Sequence, residues 1–335
     1  MLAPFPPHRT TTMAALWLWL SIVVVTLGCD EVQGFGSPSM VLKLPAKCPV
    51  VICPGFGNDA RDYTNPLDGG EAKAFAAALQ RRGVDTFVVP VARSDWLKVA
   101  SAVFTLDFWK GTCRPDGPSY NWYLQKLKET VRASLEETGA EKALLVGHSA
   151  GGWLARAALA EGKWEEGVAS QDVVAGLVTL GSPHFVGPMD MTRGALAFTS
   201  ETYPGAFLKD KGIFYVTVAG AALRGEKDAP RRSRARFAYG SYQTVCGEGN
   251  TMGDACVPLV YAHLEGAEQV TLEGVFHSVD KPDEWYGSEG VVDRWLAAVV
   301  KELGPSRGLK AGGVGAASFS DRISATPLAK LFGRR

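Results

Sequence analysis

The sequence predicts an α/β fold in which helices cover both faces of a mostly parallel central sheet. Two observations predict it. Short, fully apolar segments such as Val50–Cys53 and Ala143–Val146 alternate along the chain with helix-like segments, and strands buried on both faces of a parallel sheet have this continuous apolar composition. The chain has 335 residues, of which 46% are hydrophobic, so it is long enough to bury a large core.

The predicted elements follow one another from residue 50 in the order strand, helix, strand. The predicted strands are Val50–Cys53, Thr86–Val91, Ala143–Val146, Val173–Leu180, Ile213–Val218 and Gln269–Val275. The predicted helices are Glu71–Arg82, Tyr120–Glu137, Trp153–Ala160 and a last one over Val291–Leu303. In that last helix the apolar residues recur at helical spacing, and Gly304 provides the stop.

Two segments fall outside this alternation. Residues 184–212 lie between two predicted strands and contain several large apolar side chains. They predict either a cap over a site or an ordinary crossover helix with a core-facing side. Residues 222–252 contain six basic side chains between Arg224 and Arg236, and this composition predicts an exposed, solvated loop.

The first 34 residues are predicted to be a signal peptide. The run Ala14–Leu27 has 14 uncharged, mainly apolar residues. A helix of that length rises about 21 Å, less than the ~30 Å hydrocarbon core of a bilayer, so a cleaved signal segment is favoured over a membrane span. Val32 and Gly34 place the predicted cleavage before Phe35, and lipoprotein-type processing at Cys29 is an alternative.

Both ends of the mature chain have a distinct composition. Residues 35–47 contain serines and lysines but no acid, and they predict a transit or linker segment. With the signal peptide they resemble the bipartite presequences of plastids enclosed in the endomembrane system; the alternative is a secreted or lumenal protein. Residues 305–335 carry six basic residues against the single acid Asp321. They predict a flexible basic tail that could make peripheral contact with an anionic membrane.

Charge and cysteine content argue against two classes of function. Lys and Arg total 35 and Asp and Glu total 35, so the net charge is zero, whereas a protein whose main partner is nucleic acid or an anionic membrane needs an excess of basic residues. The six cysteines show no C-x-x-C spacing, so no structural metal is expected. The sequence leaves open whether Cys246 and Cys256 form a disulfide or stay free thiols.

A candidate nucleophile lies in the segment Gly147–Gly151, which reads G-x-S-x-G. An apolar strand precedes the motif and an Ala-rich helix follows it, as a nucleophile elbow requires. Ser149 would then lie at the positive end of the helix, where developing negative charge is favoured. The amide of Ala150 is expected to donate to an oxyanion.

A second oxyanion donor is expected in the glycine-rich turn that follows the first strand. This turn, Pro54–Asn58, contains two glycines, and we assign the second donor to the amide of Phe56. The alternative is a turn with no part in catalysis.

A serine nucleophile needs a histidine that takes its proton. Only His184, His263 and His277 follow Ser149. His277 comes between an apolar strand and the last helix, which places it in a loop at the carboxyl edge of the sheet. It is the predicted base, and His184 and His263 are the alternatives.

The predicted acid is Asp254, which precedes His277 by 23 residues. A carboxylate in that loop can reach the imidazole and fix its tautomer. Asp190 and Asp228 also follow strands and are the alternatives. Asp228 lies in a basic, polar run, and Asp190 lies in the possible cap.

Several motifs together resemble those of lipase-type α/β-hydrolases, in particular a lipase-like branch of cyanobacteria and plastids. They are PGFGND (54–59), Trp122–Tyr123, GHSAGG (147–152), LGSPH (180–184), GDACVP (253–258) and GVFHS (274–278). The resemblance covers residues 48–304. It implies the α/β-hydrolase fold with a nucleophile, acid and base at Ser149, Asp254 and His277 and an oxyanion hole at Phe56 and Ala150. One departure is Pro54–Gly55, where many lipases have His-Gly.

These features predict a serine hydrolase that cleaves carboxylic esters and needs no cofactor. The resemblance and the apolar segment 184–212 favour lipid or acylglycerol esters. Two alternatives remain open. An acyltransferase or thioesterase would use the same triad, and a non-catalytic member of the fold would bind a lipid or a partner.

Overall fold

The computed structural model describes residues 48–280 and 283–304. The predicted signal peptide (1–34), transit or linker segment (35–47) and basic tail (305–335) lie outside the described residues. Within the described part, no helix is both long and apolar enough to cross a bilayer. The five cysteines of this part are free thiols, so Cys246 and Cys256 are not joined.

The described residues form ten strands. In chain order they are β1 (Val50–Cys53), β2 (Thr86–Val88), β3 (Ala143–His148), β4 (Lys163–Glu165), β5 (Val168–Ala169), β6 (Val174–Leu180), β7 (Phe214–Ala221), β8 (Leu223–Arg224), β9 (Met252–Gly253) and β10 (Glu268–Glu273). Six of them make one sheet in the order β10-β7-β6-β3-β1-β2, and all its pairs are parallel. The other four form two antiparallel pairs. The predicted mostly parallel α/β sheet is confirmed.

Nine α-helices lie in the same residues. They are α1 (Arg61–Thr64), α2 (Phe75–Gln80), α3 (Leu106–Lys110), α4 (Asn121–Thr138), α5 (Ala150–Ala158), α6 (Ser170–Val173), α7 (Ala195–Thr202), α8 (Arg234–Cys246) and α9 (Glu289–Leu303). The helix predicted over 71–82 is shorter. The extended backbone of Ala74 separates a 3₁₀ turn, Glu71–Lys73, from α2.

The sheet buries both of its faces, which explains its apolar strands. Side chains alternate along a strand, so Val51 and Leu145 join the core that contains α4 and α5, whereas Ile52 and Val146 join the core that contains α2 and α9. Both cores are continuous clusters of buried apolar residues. The strands therefore show no polar alternation.

The basic segment 222–252 was predicted to be a solvated loop, and this prediction is wrong. It contains the 13-residue helix α8, and the Ser233 side chain caps its first turn by accepting a hydrogen bond from the Arg236 amide. Only Ala238 and Tyr242 of α8 are buried. Its apolar stripe is so narrow that helical periodicity is hard to detect in the sequence.

The segment 184–212 contains the eight-residue helix α7. Ala195 and Leu196 of α7 belong to the same core cluster as α4 and α5. Phe185 and Met189, by contrast, are 42% and 48% exposed. Part of the segment is thus packed as a crossover helix, and part presents apolar side chains to solvent.

The direction in which the chain winds through the sheet changes between β1 and β3. From β1 the chain adds β2 on one side, and from β3 it adds β6, β7 and β10 on the other. In parallel sheets, a crevice opens beyond the carboxyl ends of the strands at such a reversal. The turn after β1 and the motif after β3 both lie there.

Candidate active site

Ser149 lies in the turn between β3 and α5. Its backbone angles are φ 52° and ψ −126°, a conformation that non-glycine residues seldom adopt. Its amide donates to the Leu180 carbonyl oxygen at 2.9 Å, which ties the turn to the end of β6. Ser149 therefore stands at the carboxyl edge of the sheet, directly before the amino end of α5.

Glycines around Ser149 allow β1, β3 and α5 to approach closely. A Cβ on Gly151 would lie 2.1 Å from the Cys53 carbonyl oxygen, and one on Gly147 would lie 2.3 Å from the Gly152 Cα. Both distances are well inside van der Waals contact. The glycines of the G-x-S-x-G motif are therefore required by packing as well as by the turn.

Asp254 and His277 meet at the same edge of the sheet. Asp254 follows β9, and His277 follows β10. The His277 Nδ1 lies 2.8 Å from the Asp254 Oδ2, and the His277 amide donates to the Asp254 carbonyl oxygen at 2.8 Å. Because Nδ1 faces a carboxylate, it carries the proton, and Nε2 is left as the basic atom.

Four donors surround the buried carboxylate of Asp254. Its Oδ2 accepts from His277 and from the Tyr286 hydroxyl at 2.7 Å, and its Oδ1 accepts from the amides of Cys256 and Val257 at 3.0 and 2.7 Å. Burial alone raises the pKa of this carboxyl, but the His277 imidazole and the other donors outweigh burial and lower the pKa below its ordinary value. Asp254 is thus held ionised.

Two glycines provide the space that Asp254 occupies. A Cβ on Gly181 would lie 2.5 Å from the Asp254 Oδ2, and one on Gly220 would lie 2.9 Å from the Asp254 Cβ. The Gly220 amide also donates to the Tyr286 hydroxyl at 2.7 Å. The ends of β6 and β7 therefore shape the position of the acid.

The turn after β1, Pro54–Asn58, lies beside the turn that carries Ser149, and two tyrosines hold it in place. The Gly55 amide donates to the Tyr63 hydroxyl at 2.9 Å, and the Tyr123 hydroxyl donates to the Pro54 carbonyl oxygen at 2.8 Å. Both polar groups of the Pro54–Gly55 peptide are therefore fixed by buried side chains. Phe56, the predicted donor, packs its ring 4.9 Å from that of Trp96.

His148, next to Ser149, is buried and bonded at both ring nitrogens. Its Nδ1 lies 2.8 Å from the Tyr63 hydroxyl, and its Nε2 lies 2.9 Å from the His277 carbonyl oxygen. Burial, reinforced by the nearby His277, lowers the pKa of His148 from 6.5 to about 3. The side chain is therefore neutral at physiological pH.

The alternative candidates lie elsewhere. His184 is buried and has its Nε2 3.0 Å from the Thr179 hydroxyl, and His263 is bonded between the hydroxyls of Thr217 and Thr271. Asp190 accepts from the amides of two nearby residues in its own turn, and Asp228 is exposed. The structure brings none of these four side chains to His277 or Ser149 through a hydrogen bond.

From the sequence alone, no part in this site was predicted for Tyr63, His148 or Tyr286. Tyr123 belongs to the family resemblance, but the hydrogen bond of its hydroxyl was not predicted. His148 stands inside the motif, but nothing in the motif shows what its ring contacts. The tyrosines act across separations of up to 85 residues, for which a single sequence has no local signal.

In the described part of the chain, no group of three or more His, Cys, Asp or Glu side chains is placed to hold a metal ion.

The chain is distantly similar to several solved structures. Solved structures with a similar chain path include EstA from Clostridium botulinum (11% identity, TM-score 0.42, 79% of this chain and 88% of that one) and a putative lipase from Sulfolobus solfataricus (14%, 0.38, 76% and 86%). A third is a dienelactone hydrolase from Anabaena variabilis (15%, 0.39, 77% and 88%). These distant likenesses carry no conclusion about activity.

No curated protein matches the sequence. The family model described as the alpha/beta hydrolase family matches residues 50–310. This range includes the whole parallel sheet and the residues around Ser149, Asp254 and His277. The chain belongs to the alpha/beta hydrolase family.

Proposed function

We propose that this chain is a serine hydrolase of carboxylic esters, with Ser149 as nucleophile, His277 as base and Asp254 as acid. The observation that carries the proposal is the hydrogen-bonded pair of Asp254 and His277 at the sheet edge where Ser149 stands in a strained strand-to-helix turn. A buried, ionised carboxylate on Nδ1 gives the imidazole the tautomer that can accept a proton at Nε2.

In the first half of the reaction, the Ser149 Oγ attacks the carbonyl carbon of the ester, and His277 Nε2 takes the serine proton. The carbonyl oxygen becomes an oxyanion, and the amides of Ala150 and Phe56 would donate to it. Ala150 begins α5, so its amide has no acceptor within the helix and lies at the positive end of the helix dipole. His277 then gives its proton to the leaving alcohol, and an acyl-serine remains.

In the second half, water replaces the alcohol. His277 takes a proton from the water, the resulting hydroxide attacks the acyl-serine, and the same two amides stabilise the second oxyanion. Collapse returns the proton to the Ser149 Oγ and releases the carboxylic acid. Asp254 stays ionised throughout and stabilises the imidazolium that forms twice.

Lipid-like esters are the favoured substrates because of an exposed aromatic segment, residues 93–110. Four large apolar side chains of this segment are 66–93% exposed, namely Leu97, Phe104, Leu106 and Trp109. The segment adjoins the turn Pro54–Asn58, called the oxyanion turn from here on, since Trp96 packs on Phe56 and donates from Nε1 to the Asn58 carbonyl oxygen at 2.8 Å. Apolar surface beside a site favours acyl chains or peripheral contact with a lipid layer.

The test is labelling of the purified chain by a fluorophosphonate probe together with turnover of a short-to-long p-nitrophenyl ester series. We expect Ser149→Ala to abolish labelling and to lower kcat at least ~10⁴-fold. Ser134→Ala is the matched control, because Ser134 is buried in α4 and its hydroxyl donates to the Val131 carbonyl oxygen of its own helix; it should label like the wild type.

Other outcomes would redirect the proposal. Product partition towards an added alcohol or thiol would indicate an acyltransferase, and preference for a thioester would indicate a thioesterase. A folded wild type that neither labels nor turns over any ester would contradict the proposal and favour a binding protein.

A further inference from the structure

We propose that Tyr63 and His148 are positioning residues that lock the oxyanion turn to the loop of the catalytic base. The inference rests on the function proposed above. A single chain of hydrogen bonds runs from the Gly55 amide through the Tyr63 hydroxyl and the His148 ring to the His277 carbonyl oxygen, with links of 2.9, 2.8 and 2.9 Å.

The direction of every proton in this chain is fixed by its neighbours. The Tyr63 oxygen accepts two donors, the Gly55 amide and the Asn58 Nδ2 at 3.0 Å. Both of its lone pairs are then used, so its own proton points to the His148 Nδ1. His148 Nδ1 must accept, and its proton therefore resides on Nε2, which donates to the His277 carbonyl oxygen.

The two peptide groups on either side of the His277 Cα are each fixed by a hydrogen bond. The His277 amide donates to the Asp254 carbonyl oxygen at 2.8 Å, and the His277 carbonyl oxygen accepts from His148. Together with the side-chain bond to Asp254, three contacts fix the backbone and ring plane of His277. Two of them come from Asp254, and the third comes from His148, which the Tyr63 hydroxyl connects to the turn after β1.

At its other end, the chain sets the turn against the nucleophile. A Cβ on Gly55 would lie 2.9 Å from the Ser149 Cβ and 3.3 Å from the His148 Nδ1. Movement of Gly55 away from Tyr63 would therefore move the turn relative to Ser149. The base and the oxyanion donor approach the serine from different strands, and Tyr63–His148 is the side-chain connection between them.

The surroundings of the pair make its bonds costly to break. Tyr63 and His148 are buried, and the Trp285 ring lies 6.2 and 5.6 Å from their rings. A buried donor or acceptor that loses its partner cannot turn to water instead. Loss of the Tyr63 hydroxyl would leave the buried Gly55 amide and His148 Nδ1 without this partner, and the half-buried Asn58 Nδ2 without this acceptor.

The test compares three variants in the ester assay. Tyr63→Phe removes the hydroxyl, His148→Met removes both ring nitrogens, and His148→Gln keeps one acceptor and one donor. A small misplacement of reacting groups costs up to about 100-fold. We therefore expect Tyr63→Phe and His148→Met to lower kcat about 10- to 100-fold with KM within about twofold, and His148→Gln to restore part of that loss.

The matched control is His263→Gln, because His263 is also bonded at both nitrogens, but to the hydroxyls of Thr217 and Thr271 rather than to residues of the candidate site. It should leave kcat unchanged. A purely structural role for Tyr63 and His148 would lower stability and the yield of folded protein without changing kcat per labelled site. Full kcat in folded Tyr63→Phe and His148→Met would overturn the proposal.

A measurement without substrate separates this proposal from the esterase proposal. In ¹⁵N-labelled wild type, long-range histidine spectra should show His148 protonated at Nε2 alone, and Tyr63→Phe should displace the imidazole signals of both His148 and His277. An Nδ1-protonated His148, or His277 signals unmoved by Tyr63→Phe, would overturn the positioning role even if no ester is cleaved. An inactive wild type with the expected spectra would contradict only the esterase proposal.

Discussion

The two sides of the candidate site are built differently. On the acid–base side, Asp254 is held by the amides of Cys256 and Val257, two and three residues away, and by the ring of His277. On the side of the proposed oxyanion hole, called the oxyanion side below, the Pro54–Gly55 peptide is held by tyrosine hydroxyls that come from α1 and α4. Two of the four donors to Asp254 thus belong to its own turn, whereas both side chains that hold the Pro54–Gly55 peptide come from neighbouring helices, 8 and 69 residues away.

The difference shows which parts of the site should tolerate substitution. A local turn keeps its own geometry, so the acid–base side depends on the chemistry of Asp254 and His277. The oxyanion side depends on side chains that make no contact with the reacting atoms. Substitutions that remove the charge of Asp254 or the imidazole of His277 should therefore be the most damaging ones on the acid–base side. On the oxyanion side, conservative substitutions that change only packing or one supporting hydrogen bond should already be damaging.

The largest effect is expected from Asp254→Asn. The new Oδ1 can still accept from the amides of the turn, so the fold should survive. The new amide would donate to His277 Nδ1 and force the proton onto Nε2, and kcat should fall about 10⁴-fold. Asp293→Asn is the control, since Asp293 pairs with Arg82 on the α9 face of the sheet. A kcat of Asp254→Asn within tenfold of the wild type would contradict the assigned acid.

Gly55→Ala tests the oxyanion side with the smallest possible addition. The new Cβ would lie 2.9 Å from the Ser149 Cβ and 3.1 Å from the His148 carbonyl oxygen, so the turn must shift. Because loss of one oxyanion donor costs about 10²- to 10³-fold, kcat should fall by that amount. Gly240→Ala in α8, where a Cβ meets open space, should change kcat less than twofold. Equal activity of the two variants would show that the turn does not serve the oxyanion.

Tyr286→Phe tests how strongly the acid–base side depends on a single hydrogen bond. Its hydroxyl is one of several donors to Asp254, and its loss would raise the pKa of that carboxyl towards the ordinary value. One hydrogen bond contributes about 1 kcal/mol, so kcat should fall only about fivefold. Steady-state kinetics of Tyr286→Phe and Tyr63→Phe, measured together, would show which variant loses more kcat. A larger loss in Tyr286→Phe than in Tyr63→Phe would contradict the greater sensitivity of the oxyanion side to conservative substitutions.

The smallest effect is one on stability alone. His148 is buried and its pKa is lowered from 6.5 to about 3, so the unfolded chain binds a proton that the folded chain does not between these values. Stability is therefore complete above pH 6.5 and falls as the pH drops towards 3, by at most about 1.4 kcal/mol per pH unit for this group. Urea unfolding between pH 7 and 4 should show a shallower slope in His148→Gln. An identical slope would contradict a buried neutral His148.

Much of this organisation could be predicted from the sequence where the signal is local. The apolar strands and the G-x-S-x-G motif predicted the parallel sheet and the position of Ser149, and the spacing of Asp254 and His277 anticipated the pair that the structure brings together. The helix α8 escaped prediction because the basic residues in it and directly before it outweigh its narrow buried stripe, Ala238 and Tyr242, in the composition of the segment. Tyr63 and Tyr123 escaped because their partners lie on other elements.

Gly147 and Gly151, the glycines on either side of Ser149, affect how activity data from a library of variants would be interpreted. Substitution of Gly147 or Gly151 places a Cβ inside the backbone of a neighbouring element, so every replacement should be depleted in a selection for function, just as replacements of Ser149 are. A second selection for soluble, folded chain would sort them, because Ser149→Ala should survive it whereas Gly151→Ala should not. Comparison of the two selections would separate positions that carry chemistry from positions that carry shape.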